Sequence, residues 1–283
     1  MTGSNGDLSP LEADWLGLCR RAAARVQAML DERPATADRT AASGERGQGG
    51  DLTLDIDVAA EDIVFDELEA LGLPLTAISE ERGEVALAGG GPVHVAIDPI
   101  DGSLNAARRL PHHCLSIAVA SGPTMGDVEL GYVRELGGEG LEWGARRGQG
   151  ATRDGEEIAP LDGGGELEIV GVETTSPGNV ATTADGLGGL EAKRIRAFGS
   201  ITLSLCYVAA AQIDAMASLG PTRSVDCAAG QLLVREAGGV VAFPDATDDP
   251  LATPLSLAMR SRVLAAARPD ALERLLGAIS AGR

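Results

Sequence analysis

Apolar residues recur at helical spacing from Leu11 through Trp15, Leu18, Ala22, Val26 and Leu30, laying one hydrophobic stripe along a first helix. Ser9, Pro10 and Glu12 give it a start with capping-box spacing and proline in the first position, and it must stop before Pro34. Residues 34–50, PATADRTAASGERGQGG, are polar, glycine-rich and aperiodic, and predict a mobile loop. A second helix is predicted from Asp57 to Leu71, with Gly72 placed to end it. Short β-like runs follow at 75–79, 93–97, 115–121 and 128–133.

Beyond the glycine-rich turn at 162–166, LEIVGV (167–172) reads as a buried strand and 200–216 as a long apolar helix. Another helix spans 226–237 and ends at Gly238-Gly239 before the strand VVAF (240–243); two more strands and the closing helix PDALERLLGAIS (269–280) complete the pattern. Two helices leading into a sheet, then strands alternating with helices, predict an α/β (α+β) chain in two parts: an α+β part over 1–160 and an α/β part over 161–283. No internal repeat is visible.

Composition narrows the class. With 283 residues, 44% of them hydrophobic, the chain is long enough for well-buried cores. No apolar run approaches the roughly 18 residues of a membrane span. The N-terminal MTGSNGDLSP lacks the basic and apolar regions of a signal peptide, so a cytoplasmic protein without a membrane partner is expected. A formal charge of −19 argues against nucleic acid as a partner. Lys193 is the single lysine beside 22 arginines, and with so many acidic residues this suggests a halophilic source, the plainer alternative being an ordinary acidic enzyme from a GC-rich genome. Cys19, Cys114, Cys206 and Cys227 form no CxxC pair and read as buried free thiols.

The acidic residues supply the candidate chemistry. In AIDPIDGSLN, Asp98 and Asp101 stand three apart where an apolar strand ends, beside Gly102 and Ser103. Ionised neighbours raise the cost of each other's charge, so a cation is expected between them, and free backbone N–H groups beyond them would suit a phosphate. An N-cap aspartate followed by an Asx-turn is the plainer explanation of that segment. Three further acidic elements weigh against it: Glu80-Glu81 after the run at 75–79, Asp57 at a helix start, and Asp226 before an apolar helix.

ISEE, DPIDGSLN and VDCAAGQLLVREAGG, in this order, resemble the signature segments of the inositol monophosphatase family of magnesium-dependent phosphatases, and DLTLDIDVAAED resembles its D-x-x-T-x-x-D-x-x-A-E segment. The local details look most like the archaeal branch, which often acts on both inositol phosphates and fructose 1,6-bisphosphate. The resemblance implies a layered αβαβα sandwich, two or three magnesium ions or manganese in their place, a small-molecule phosphate ester as substrate, and a homodimer. It places Glu80, Asp98 and the carbonyl of Ile100 on a first metal, and Asp98, Asp101 and Asp226 on a second. Asp57 would support a third ion or its water shell. Ser103 and Glu80 would orient the attacking water, and the amides of Gly102 and Ser103 would hold phosphate oxygens.

Departures from the family pattern are Val225 for its tryptophan, Ala106 for its aromatic residue, Leu54 for its threonine and Arg46 for its mobile-loop lysine. Asp101, Arg46 and Arg223 are the candidate substrate contacts. Arg223 and Arg194 also admit the plainer reading of solvated surface arginines. His94, His112 and His113 are poor magnesium ligands, because that ion prefers oxygen. The alternatives are a fructose-1,6-bisphosphatase or dual enzyme, a 3′-phosphonucleotide phosphatase, and a regulatory homologue without turnover.

Overall fold

The first helix forms on the predicted stripe but begins later than its sequence signals suggest. In the structure, a computed structural model describing residues 10–46, 52–159, 165–174 and 176–281, Leu11 lies in a 3-10 turn, Pro10–Glu12. Helix α1 (Trp15–Asp31) follows, capped by the Asp14 carboxylate, which accepts the Gly17 N–H at 3.0 Å. Ser9, the expected cap, lies outside the described residues. The predicted loop contains a short helix α2 (Thr36–Arg39) and strand β1 (Ala42–Arg46), which pairs antiparallel with β2 (Leu52–Leu54). Their polar, glycine-rich sequence carries no period that would reveal them. Helix α3 (Asp55–Leu71) starts two residues before Asp57 and ends at Gly72 as predicted.

Next come β3 (Leu75–Ser79), β4 (Gly83–Leu87), β5 (His94–Asp101), α4 (Ser103–Arg108), β6 (Cys114–Ala120), β7 (Val128–Glu135), β8 (Glu142–Arg146), β9 (Ala151–Arg153) and β10 (Glu156–Glu157). The eight strands form one sheet in the order β10-β9-β8-β7-β6-β5-β3-β4, antiparallel except between β3 and β5. Residues 160–164, where the two predicted parts meet, lie outside the described residues.

The remaining elements are β11 (Ile169–Glu173), α5 (Pro177–Gly189), β12 (Arg194–Arg196), α6 (Ile201–Ala209), β13 (Ala215–Ser218), α7 (Ala228–Glu236), β14 (Val240–Ala242), β15 (Leu264–Ala266) and α8 (Pro269–Ala281). The five strands form a second sheet in the order β12-β11-β13-β15-β14. Two expectations are corrected here. The helix predicted to reach Met216 ends at Ala209, and Met216 belongs to β13. The stretch is mostly apolar and holds no glycine or proline, so periodicity cannot separate a buried helix from a strand covered on both faces. Of the two late strands expected before the closing helix, only β15 forms among the described residues.

The period-two alternation of the strands assembles the layers. Val95 and Ile97 of β5 and Leu115, Ile117 and Val119 of β6 pack under α1 and α3, while Ala96, Cys114, Ala118 and Ala120 face α6 and α7. Met216, Val241 and Ala265 of the second sheet close the other side of α6 and α7. Ala215, Ala217, Leu264 and Ala266 meet α8 on the outside, where α5 packs beside it. The result is the expected αβαβα sandwich. All four cysteines are buried and free, as expected. No helix among the described residues is long and apolar enough to cross a membrane.

This stacking brings the C-terminal ends of β3, β5, β11 and β13 to one margin with the N-terminal ends of α4, α6 and α7, the usual place for a ligand in an α/β sandwich. The first sheet reaches α7 closely because Gly131 of β7 has no side chain: a Cβ there would lie 2.8 Å from the Ala229 carbonyl oxygen. Gly131→Ala is expected to lower unfolding free energy by about 1–3 kcal/mol, read from urea denaturation, because backbone must move to admit the methyl group.

Candidate active site

Asp98 and Asp101 are brought to one side by a bulge. In a regular strand, residues three apart point to opposite faces. Here Asp98 pairs with Ser116 and Asp101 with Cys114, so three steps along β5 match two along β6. The extra residue turns both carboxylates the same way, and Pro99, which has no N–H for the ladder, is tolerated there. Asp98 accepts the Ile100 N–H at 3.1 Å, and Asp101 accepts the Ser200 hydroxyl at 2.7 Å and the Thr202 N–H at 2.6 Å.

Glu80 and Glu81 form the turn leaving β3. That turn is held from below by Glu61 of α3, which is buried and accepts the Ser79 hydroxyl and, at 3.3 Å each, the N–H groups of Glu81 and Arg82. One turn before Glu61 on the same helix, Asp57 accepts the Leu54 N–H at 3.3 Å and faces the same pocket. Asp226 arrives from the turn before α7 and accepts the Arg223 N–H at 2.8 Å. Oxygens of Glu80, Asp98 and Asp226 all lie within 4.8 Å of one another, and Asp98 and Asp226 are buried. The guanidinium of Arg223 stands among them, with Nη1 2.7 Å from Glu80 Oε1 and Nε 3.5 Å from Asp226 Oδ1.

The cluster forms the floor of a cavity of about 560 Å3. One wall is the start of α4. Gly102 adopts φ 84°, and a Cβ there would lie 2.8 Å from the His112 carbonyl oxygen, so glycine is required. Asn105 donates to the carbonyls of His112 at 3.0 Å and Phe198 at 2.8 Å, tying α4 to the turn before α6. Glu173 at the end of β11 fixes that turn, accepting the N–H groups of Phe198 at 3.0 Å and Gly199 at 2.8 Å. The far wall carries Thr174, Asn179, Ser218 and Arg260.

Oxygen donors at this density suit a hard divalent cation. The profile of the inositol monophosphatase family matches residues 12–282. The chain belongs to this family. It is 34% identical over 240 residues to a fructose-1,6-bisphosphatase/inositol-1-monophosphatase of Methanothermobacter thermautotrophicus, covering 80% of this chain and 83% of that one. It is equally 34% identical, over 231 residues, to the Nus factor SuhB of Escherichia coli, covering 80% and 84%. A crystal structure of an inositol monophosphatase-fructose 1,6 bisphosphatase superposes with a TM-score of 0.80 at 24% identity, over 94% of this chain and all of that one, which establishes the shared fold. As a member of the inositol monophosphatase family, the protein is a phosphatase acting on small phosphate esters.

Against the inositol monophosphatase pattern, Val225 fills the tryptophan position as a buried residue of the α6–α7 layer. Ala106 is on the buried face of α4, and Arg39, itself buried, donates to its carbonyl at 3.1 Å. Glu80, Asp98, Ile100, Asp101, Gly102, Ser103, Asp57 and Asp226 all line the cavity. Arg46 is the last residue of β1, and its side chain lies outside the described residues. The surface reading of Arg223 is corrected: its side chain is only 15% exposed. Arg194 does match that reading, being exposed on the edge strand β12. The histidines stand apart from the acids: His94 bonds the Pro92 carbonyl, His112 the Tyr207 hydroxyl and His113 the Leu110 carbonyl. Glu61 and Glu173 were not singled out in the sequence, although Glu61 lies four residues after Asp57 on a helix, a spacing that puts both on one face.

Burial, helped by crowding, leaves the cluster reluctant to ionise. Burial, then the charges of Asp101, Glu80 and Asp226, pushes the Asp98 carboxyl well above the usual carboxylate range. Burial raises Asp226 against the opposing pull of Arg223. Burial likewise takes Asp101 to about 6, with the Ser200 hydrogen bond opposing, and Asp57 to about 7. A carboxyl whose folded pKa exceeds its unfolded value contributes stability that is fully present below the unfolded value and is lost as pH rises through the folded one. Without metal, the melting temperature should therefore fall between about pH 4 and pH 7, from the unfolded carboxylate value up to the Asp101 and Asp57 values, and saturating magnesium should flatten that slope. Thermal denaturation across this range with chelator and with magnesium measures both slopes.

Proposed function

We propose that the protein is a magnesium-dependent phosphomonoesterase that hydrolyses inositol monophosphate or a related sugar phosphate. The observation that carries this reading is the convergence of Glu80, Asp98 and Asp226 within 4.8 Å at a margin where backbone N–H groups also open. Glu80, Asp98 and the Ile100 carbonyl would hold one ion, Asp98, Asp101 and Asp226 a second, and Asp57 would serve a third. Bound magnesium, or manganese in its place, neutralises phosphoryl oxygens and acidifies a water ligand. The protein's own groups do the positioning. The N–H groups of Gly102 and Ser103 hold phosphate oxygens, and the Ser103 hydroxyl and the Glu80 carboxylate orient the attacking water for in-line displacement. Asn105 and Glu173 keep α4 and the 198–199 turn fixed while this happens. Asp101, Arg223 and Arg46 are the proposed substrate contacts.

The archaeal relative is named for both fructose 1,6-bisphosphate and inositol 1-phosphate, which favours dual activity as the next reading. The relative named as a Nus factor keeps a regulatory reading in view. A purely binding role would not require buried acids whose charges oppose one another, so catalysis is favoured. We further propose a cytoplasmic homodimer of salt-adapted protein, with the division near residue 160 separating most metal-binding residues from the part that supplies Asp226.

Phosphate release from inositol 1-phosphate, fructose 1,6-bisphosphate and a 3′-phosphonucleotide, measured in parallel, ranks the substrates. Asp98→Asn should lower kcat/KM on the preferred ester at least about a thousandfold, roughly 4 kcal/mol of transition-state stabilisation. No magnesium-dependent release from any of the three esters would defeat the catalytic reading. A surface at −19 should also repel itself less as salt rises, so the melting temperature should climb by roughly 5–10 °C from low to molar potassium chloride. A flat response would remove the salt-adaptation proposal.

A further inference from the structure

Arg223 holds Asp226 twice, by its own N–H at 2.8 Å and by its guanidinium at 3.5 Å, and reaches across to Glu80 at 2.7 Å. The side chains are 15%, 10% and 19% exposed for Arg223, Asp226 and Glu80, so the pairs are poorly screened, unlike an ordinary surface ion pair. Glu80 leaves the first sheet at the end of β3, and Asp226 precedes α7. One guanidinium therefore staples acids from distant parts of the chain.

A divalent ion among the oxygens of Glu80, Asp98 and Asp226 would stand within a few ångströms of this guanidinium and draw on the same carboxylates. Positive charges at such a distance in a poorly solvated site repel strongly. The two occupants exclude one another. We infer that Arg223 is the resident counter-ion of the metal-free acid cluster, keeping it assembled until a divalent cation displaces the guanidinium; this rests on the reading of the cluster as a divalent-metal site. The arginine then sets metal affinity as a competitor, since the apparent affinity is the intrinsic one scaled down to the fraction of sites from which the guanidinium has let go. Once displaced from the acids, its planar fork still lines the cavity and suits a phosphate oxygen pair. The same side chain thus serves the empty site and the loaded one in turn.

Titration calorimetry of the full chain with magnesium tests this, using wild type, Arg223→Met, Arg223→Lys and Arg260→Gln. Arg260 lines the same cavity without an ion pair to the acids and controls for charge alone. Arg223→Met should bind magnesium at least about fivefold more tightly than wild type. Arg223→Lys should gain less, because a compact ammonium cannot fork across two carboxylates, and Arg260→Gln should stay within about twofold. In thermal denaturation, Arg223→Met should melt below wild type in chelator and match it at saturating magnesium. Unchanged or weaker magnesium binding in Arg223→Met, or an equal gain in Arg260→Gln, would overturn the inference. Should Arg223→Met fail to fold, unchanged affinity in Arg223→Lys would overturn it and a gain would support it. If neither wild type nor any variant bound magnesium, the metal-site reading itself would fall, an outcome distinct from equal affinities.

Discussion

Mutual repulsion among buried carboxylates is the constraint around which this molecule is organised. Asp98, Asp101 and Asp226 are each at most 9% exposed, and Glu80 stands beside them. Water cannot screen these charges, and an isolated buried carboxylate would ordinarily neutralise itself by taking up a proton. Hydrogen bonds oppose that tendency without cancelling it. Ser200 and Thr202 serve Asp101, the Ile100 N–H serves Asp98, and Arg223 serves Asp226 through both its main chain and its side chain. What those bonds leave uncompensated is negative charge facing a cavity, the condition under which a multivalent cation binds and a phosphate can follow it.

Holding such a cluster requires elements that would not otherwise meet. The two sheets sandwich α6 and α7, and both helices begin at the margin where β3, β5, β11 and β13 end. Strand ends and helix starts leave backbone groups unpaired in opposite senses, so a polar site there completes hydrogen bonding that the core cannot. The supports follow the same logic. Glu61 gathers the amides of the turn that carries Glu80, and Glu173 gathers those of the turn that precedes α6. Neither acid belongs to the 4.8 Å cluster, yet each fixes the chain beside a member of it, Glu173 through the turn that delivers Ser200 to Asp101.

Much of this was legible in the chain because the chemistry sits in short continuous segments. DPIDGSLN carries its bulge, its glycine and its helix start in consecutive residues, so Asp98, Asp101, Gly102 and Ser103 could be singled out together. The α1 stripe followed from periodicity, the end of α3 from Gly72, and the layered architecture from the family resemblance. Long-range pairings were harder to see. The register slip opposite Ser116 and Cys114, which turns Asp98 and Asp101 the same way, depends on a partner strand. Glu173 looks like any polar residue ending a strand until its partners at 198, 199 and 204 are known. Helix α5, PGNVATTADGLGG, has four glycines and a weak apolar stripe, and it is helical because Ser176 caps it and α8 packs along it. Tertiary contact there overrides propensity.

The charge of the whole chain and the charge of the site pull on a substrate in the same direction. A surface at −19 and a cluster of buried acids both repel a phosphate dianion, so diffusion alone brings no electrostatic advantage. Beyond about 8 Å the surface contribution is screened at physiological ionic strength, and more so in concentrated salt. Inside the cavity screening is much weaker, and there the sign must be reversed locally by bound cations, with Arg223 and Arg260 among the residues of the cavity wall. An acidic exterior and an anion-binding interior are therefore compatible only because the site imports its positive charge. The acidity of the surface can vary freely with the ionic strength the protein meets, while the carboxylates of the site cannot vary without losing the charge that attracts those cations.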